Sequence, residues 1–451
     1  IIKVYDDMKF LEELVNTNRF GRTSSENWSE DKIFKVVADI ADTIKFVIGD
    51  GRAENAYFGG EFNGLGHEFI LNIDSLNKGK SNEPVGFFGT VKNGKVDSVR
   101  VCGYVKGKDC VGGICGYSYN SQIKASVNSA SVLGNSYVGG ICGLAKGNYD
   151  KNKDLFNLSS ALNIGYVAGD SCVGGIVGKT DSCGVKMLVN TGVVSAELDY
   201  VGGVAGIALG GADASRYDRV FNFGSFKVAK EKNKCYGAVC GEFDGRMISS
   251  YYDGQMTSKL LGGVKGKDYE SSNNIHAVGI STKTLVGDSL FSDMFFSVDM
   301  TYREGFYPCP AAIASFPEAK LAVTPVNLNR DEFIGLIKSD FSVSDSLGVS
   351  FSSLHDCFST NGTNATLRKP GDEVVCLRLG KYVKNLNAFV ANGLFSGGNG
   401  TEESPYLIKT KKDMEDLASL VNENTLQTVY GRNWSYGNYF SLQNDILNDT
   451  I

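Results

Sequence analysis

Apolar and small residues recur through the middle of the chain in one six-residue figure. It reads Val111-Gly-Gly-Ile-Cys-Gly116, Val138-Gly-Gly-Ile-Cys-Gly143, Val173-Gly-Gly-Ile-Val-Gly178, Val201-Gly-Gly-Val-Ala-Gly206 and Tyr236-Gly-Ala-Val-Cys-Gly241. A looser copy opens the series at Val85-Gly86-Phe87-Phe88-Gly89, and successive starts lie 26, 27, 35, 28 and 35 residues apart. A second motif precedes four copies: Asn128-Ser-Ala-Ser-Val132, Asn163-Ile-Gly-Tyr-Val167, Asn190-Thr-Gly-Val-Val194 and Asn222-Phe-Gly-Ser-Phe226. Between the motifs the apolar residues form short runs broken at Gly and Asn, with no helical period. Two phased motifs at a period of this size predict a parallel β-solenoid, each coil stacked on the next at about 4.8 Å.

The repeated residue types then have mechanical readings. Glycine permits positive φ and close backbone approach at corners that every coil must turn alike. Asparagine serves either as an ordinary turn residue or as a stacked ladder bonded along the axis, and the sequence leaves both open. At the fifth hexapeptide position Cys115, Cys142, Val177, Ala205 and Cys240 interchange, so cysteine acts there as a small buried hydrophobe. Just before the hexapeptide stand Cys110, Tyr137, Cys172, Tyr200 and Cys235. The total of 11 cysteines is odd and no C-x-x-C occurs, which makes a disulfide framework secondary to the repeat.

A longer repeat joins the two ends. Ile2-Lys3, Asp7-Met8, Leu11, Leu14-Val15-Asn16, Asn18, Asn27-Trp28-Ser29, Phe34 and Asp39-Ile40 recur 406 positions later, giving 15 identities over the first 45 residues. In each copy Met, Leu and Val at i, i+3 and i+7 predict a short amphipathic helix, suited to covering the open end of a solenoid. Thr410 and Asp413 add a capping pair to the second copy. Three of the seven prolines, Pro308, Pro310 and Pro317, mark a boundary. Beyond it, alternating stretches at Leu321–Val326, Asp340–Val343, Val349–Phe351, Ala365–Leu367, Glu373–Leu379 and Val383–Val390 predict a small immunoglobulin-like sandwich. The expected divisions are a cap and first rung over 1–57, solenoid and exit segment over 58–318, spacer over 319–393, and lead-in and cap of a second solenoid over 394–451.

The hexapeptide set resembles the GLUG-motif β-helix repeats of bacterial surface proteins. Phe58-Gly-Gly-Glu-Phe-Asn-Gly64 with Gly66-His67 is similar to their opening rung. Ser396 to Ile408 is similar to the lead-in they place before each β-helix, and Tyr251-Tyr252-Asp253 to Tyr307-Pro308 to their exit. The resemblance covers most of the chain, the sandwich least specifically. It implies right-handed coiling and a secreted, cell-surface, adhesin-like or fibre-forming role without naming a ligand. The signal peptide and anchoring domain expected of such proteins are missing from this sequence. The chain begins Ile1-Ile2-Lys3 without Met, from which a processed product or a segment of a longer protein is expected.

Composition narrows the chemistry. A net charge of −6 disfavours a nucleic-acid-binding role, and no apolar run approaches the length of a membrane span. Three scattered histidines, His67, His276 and His355, give neither zinc spacing nor a Ser-His-Asp arrangement. Gly174 to Thr180 imitates a phosphate-binding loop, but that loop needs glycine where Val173 stands, and the repeat accounts for the glycines. For a polysaccharide-cleaving solenoid the candidates are Asp170, Asp181 and Asp199 with Lys179 and Lys186; solvated turn residues are the simpler reading. Asp213, Arg216, Asp218 and Arg219 read as a charged surface insertion, or else a ligand-contacting loop. Tyr117, Tyr119, Tyr137, Tyr149, Tyr166 and Tyr200 would stack on sugars if they shared one face, although packing explains them more simply. Six Asp-Ser/Thr-apolar triplets resemble the O-glycan acceptor of exported proteins from some Gram-negative anaerobes, with acceptors at Thr43, Ser75, Ser98, Ser289, Ser346 and Thr450. Turns with an Asp cap are the plainer account of these triplets.

The expectation is therefore an all-β, non-catalytic extracellular module that uses no cofactor. Its expected partners are neighbouring modules, copies of itself, or surface glycans and proteins, with no nucleic acid or membrane insertion. It is either one period of a giant adhesin or a polymerising subunit completed by its C-terminal stub. The rival of another class is a polysaccharide lyase or hydrolase.

Overall fold

The computed structural model describes residues 1–254 apart from 19, 21–26, 52, 54, 77–82, 150–155 and 229–234. Beyond them it describes 256, 275–280, 285, 300–301, 306–313, 324–325, 350–353, 358–360, 364–367, 371–379, 381–390, 395–396, 405–422, 435 and 439–443. These residues fall into two compact units, Ile1–Arg303 with Tyr307–Phe316, and Glu304–Phe306 with Pro317–Ile451.

The first unit is a parallel β-solenoid of about seven turns. Three parallel sheets of 17, 5 and 6 strands run along it, and the repeated motifs keep register from rung to rung. The leading hexapeptide residue forms the column Val111, Val138, Val173, Val201 and Tyr236 in the five-stranded sheet. The fifth position forms Cys115, Cys142, Val177, Ala205 and Cys240 in the six-stranded sheet, every member fully buried. Because each rung offers the same apolar positions to one interior, the coils fuse into a single core from Ile2 to Met247. Each Val or Ile it removes from water contributes about 1.5–3 kcal/mol. The two 35-residue periods absorb their extra length outside the strands, the first between Lys146 and Leu158, the second both around the one-turn helix Gly211–Ala214 and between Val228 and Tyr236.

Asparagine does both things the sequence left open. Asn128, Asn163, Asn190 and Asn222 are fully buried, and the Nδ2 of each of the first three donates to the Oδ1 of the next at 2.8 Å. Every one of them also bonds the backbone two residues on, as at Gly165, whose N–H donates to Asn163 Oδ1 and whose carbonyl accepts from Nδ2. Asn163 and Asn190 thereby use both amide protons and both acceptor positions of the side chain.

Glycine needs a correction. No hexapeptide glycine has positive φ; the left-handed residue is the one before the figure, at Cys110, Tyr137, Cys172 and Tyr200, with φ of 53 to 66°. A second left-handed column, Ser98, Ala125, Ser160, Met187, Arg219 and Ser249, contains no glycine at all. The glycines are there for space. A Cβ on Gly140, Gly175 or Gly203 would overlap the Asn side chain of the following rung, and one on Gly139 or Gly174 would overlap a backbone carbonyl. The two motifs are phased because the second glycine of one makes room for the asparagine of the other.

Helix α1, Tyr5–Thr17, closes the N-terminal end with Met8, Leu11, Leu14 and Val15 buried, as its period predicts. Asn16 Oδ1 accepts from the Gly49 and Asp50 amides at 2.6 and 3.1 Å, while Nδ2 donates to the Val47 carbonyl. Asn27 Nδ2 donates to the carbonyls of Asn55 and Tyr57, and its Oδ1 accepts from Ser29. The residues repeated at the far end of the chain are thus the polar pins of a cap.

After the last full rung, Leu285, Met300, Tyr307 and Ile313 pack in a second apolar cluster against the column Val127, Leu162, Val189, Phe221 and Tyr251. Tyr307 stacks on Phe223 and donates its hydroxyl to buried Asp253 at 2.6 Å. The exit segment is a strap along the solenoid.

In the second unit, Gly371–Leu379 and Tyr382–Val390 pair antiparallel, with Ser350–Ser353 on the outer edge of the first. Thr324–Pro325, Asn364–Leu367 and Phe358–Thr360 form a separate small sheet. Asp340–Val343 lies outside the described residues. The C-terminal copy of the long repeat follows: Tyr406–Ile408 pairs parallel with Phe440–Leu442, and the 12-residue helix Lys411–Asn422 follows the first of these strands. Ile408 pairs with Leu442 as Ile2 pairs with Val36. Asp413 Oδ2 accepts from the Lys409 and Thr410 amides as Asp7 Oδ2 accepts from Lys3 and Val4.

Candidate functional site

Where each six-stranded-sheet strand turns into the 17-stranded sheet, polar residues replace the core columns. The corner pairs Gly59-Gly60, Asn93-Gly94 and Asn120-Ser121 lie on successive rungs and, with Asn148 and Asn157, line a groove of about 420 Å³. Asp31, Lys32, Ile33, Glu61, Lys95 and Gln122 complete its walls. Asn120 Nδ2 donates to Asn93 Oδ1 at 2.9 Å, and Lys95 Nζ sits 2.9 Å from Glu61 Oε1. Ser121 Oγ accepts from the Gly94 amide, and buried Asn157 donates to the Ser121 carbonyl. Backbone amides are already spent here: Asn93 N–H on the Tyr119 carbonyl and Asn120 N–H on that of Lys146. What the groove offers is side-chain amides and compensated charge.

Beside its first rung, Tyr57 donates to Glu30 Oε1 at 2.7 Å. Desolvation and that carboxylate push its phenol up to about 12. Lys92 Nζ lies 4.9 Å from the same ring centroid. Gly59, Gly60 and Glu61 entered the sequence reading only as part of an opening rung, and the other residues of the groove were not singled out. The trace that could have found them is the Asn-small pair that follows two of the six-stranded-sheet strands, at 93 and 120.

The candidates read from sequence are dispersed. Asp181 pairs with Lys146 at 3.4 Å, Lys179 lies over the Tyr137 ring, and Lys186 lies over Phe156 on a different sheet. Asp170 and Asp199 occupy turns before the five-stranded sheet, so the five do not converge. Among the described residues no group of three or more His, Cys, Asp or Glu is placed to hold a metal.

Arg216, Asp218 and Arg219 belong to the strand Arg216–Asn222 or its left-handed kink, not to an inserted loop. Asp218 accepts from Arg216 at 3.3 Å and Arg219 at 3.2 Å. Thr180, in the phosphate-loop look-alike, is fully buried and bonded to the Tyr217 hydroxyl at 2.8 Å. Tyr117 and Tyr119 are neighbours on the six-stranded sheet, whereas Tyr137 and Tyr200 hold the left-handed corner and Tyr149 is buried against Phe156.

Of the glycan-acceptor positions, Thr43 is half-buried in the strand Ile40–Ile44. Ser75 donates to the Lys106 carbonyl beside an Asp74 turn, and Ser98 donates to Asp97, itself 2.9 Å from Lys124. Ser289, Ser346 and Thr450 lie outside the described residues, as does His355. His67 bonds Asp39 at 2.6 Å, and His276 meets the Tyr251 ring edge-on.

No family model and no curated protein matches the sequence. Among solved structures the fold is similar to a "putative immunoglobulin A1 protease" from Bacteroides ovatus, with a TM-score of 0.52 at 17% identity. The match covers 69% of this chain and 92% of that one. At that identity the likeness is one of fold.

Proposed function

We propose that this chain is a non-catalytic, extracellular adhesive and spacing module of a bacterial surface protein or fibre. In this reading the solenoid is right-handed, the strands between 324 and 390 form an immunoglobulin-like spacer, and residues 394–451 begin another solenoid. The observation that carries it is the recurrence of one cap: Ile2 with Val36 and Ile408 with Leu442, Asp7 and Asp413 in the same backbone bonds. A cap repeated beyond the first unit is how a chain builds rods in series, and rods serve reach and display.

The test is to coat beads with the whole chain and measure capture of bacterial and epithelial cells. Parallel incubations offer polygalacturonate, with and without calcium, and immunoglobulin A1, the protein named for the fold neighbour. Capture without unsaturated sugars or antibody fragments is expected; turnover of either substrate would make the chain an enzyme and overturn the reading. Concentration-dependent filaments in electron micrographs would select a polymerising subunit over one period of a longer chain.

A further inference from the structure

We propose that the corner groove binds a neutral, linear glycan laid along the solenoid axis. This deepens the adhesive reading and rests on it. The argument begins with charge: Lys95 is matched by Glu61, and Asp31 stands beside Lys32, so the walls present no net field to draw in a polyanion or polycation. An extended peptide would seek main-chain partners, but the corner amides are already bonded to the neighbouring rung. What remains exposed is the side-chain amides of Asn93, Asn120 and Asn148, each able to donate and accept, as hydroxyl groups require. Asn93 and Asn120 stand on successive rungs, and the rise of about 4.8 Å between rungs is close to the length of one pyranose unit. Ile33, 63% exposed on the groove wall, offers an apolar surface to a ring face.

The experiment is isothermal titration of the whole chain with the cello-, malto- and manno-hexasaccharides, and with polygalacturonate as the charged comparison. Asn120→Ala/Gln122→Ala is titrated beside it, its fold checked by circular dichroism and melting temperature; Asn93→Asp, which keeps size and adds charge, is a second probe that spares the fold. At least one neutral hexasaccharide is expected to bind with little dependence on salt, and the double variant to weaken it about tenfold or more, the scale of one or two lost hydrogen bonds. No neutral binding, binding of polygalacturonate alone, or affinity unchanged in both variants would overturn the inference. Beads that still capture cells while no neutral glycan binds would sink this assignment and leave the adhesive reading standing; glycan binding without capture would do the reverse.

Discussion

Each interior asparagine of the ladder spends its whole hydrogen-bonding capacity, half within its own rung and half on its neighbours. Removing one therefore strands others. Asn163→Ala leaves the Asn128 donor and the Asn190 acceptor facing a hole, at about 1–3 kcal/mol for each group left unmatched. Gly175→Ala should cost about 1–3 kcal/mol by overpacking against Gly203 and Asn190. Urea unfolding followed by β-sheet ellipticity checks both; wild-type midpoints would show that the ladder bears no strain-sensitive packing. Sequence located these residues because they repeat, yet it assigned positive φ to the wrong partner. Propensity alone would place neither Met187 nor Arg219 in a left-handed corner; the stacked column imposes that conformation.

The elements divide by whether their contacts repeat. Helix α1 was legible because Met8, Leu11 and Val15 share one face, and its duplicate at 411–422 gave a second reading of the same pattern. The exit segment was placed by resemblance, but its packing as a strap was not legible, since Leu285, Met300 and Ile313 belong to no period and meet rungs far from them in sequence. Asn16 ties the cap to the first rung through the amides of Gly49 and Asp50, so Asn16→Ala should open that end alone. Hydrogen exchange is expected to quicken over residues 5–17 and 47–50 while rungs beyond 100 keep their protection. Uniform acceleration along the chain would show that cap and rungs unfold as one.

Across the whole molecule the buried thiols and phenols act together on alkaline stability. Burial raises Cys142, Cys183 and Cys240 above the ordinary thiol value of 9.0, and it pushes Cys110 and Tyr251 up to about 12. The folded chain thus holds protons that the unfolded chain releases above about pH 9, so this contribution is complete below that pH and is lost as pH climbs through the folded values. The melting temperature should fall progressively above pH 9. Cys142→Val with Cys240→Ala, residues the same column already carries at Val177 and Ala205, should flatten the slope; a flat wild-type profile would contradict the burial of these thiols. At this scale the parallel solenoid was legible and the groove was not. Its wall is collected from corners of successive rungs, each contributing one or two polar residues that look like ordinary turns when read in line.

The asparagine ladder also has a direction, because all three of its rung-to-rung bonds run the same way, from the Nδ2 of one asparagine to the Oδ1 of the next. A coil copied or deleted whole, with its asparagine and the glycine that houses the next, leaves the joint on either side chemically unchanged. Length in this protein is therefore a nearly neutral trait, adjustable in steps of one strand spacing, and homologues differing by whole coils should turn up more readily than homologues differing by half of one.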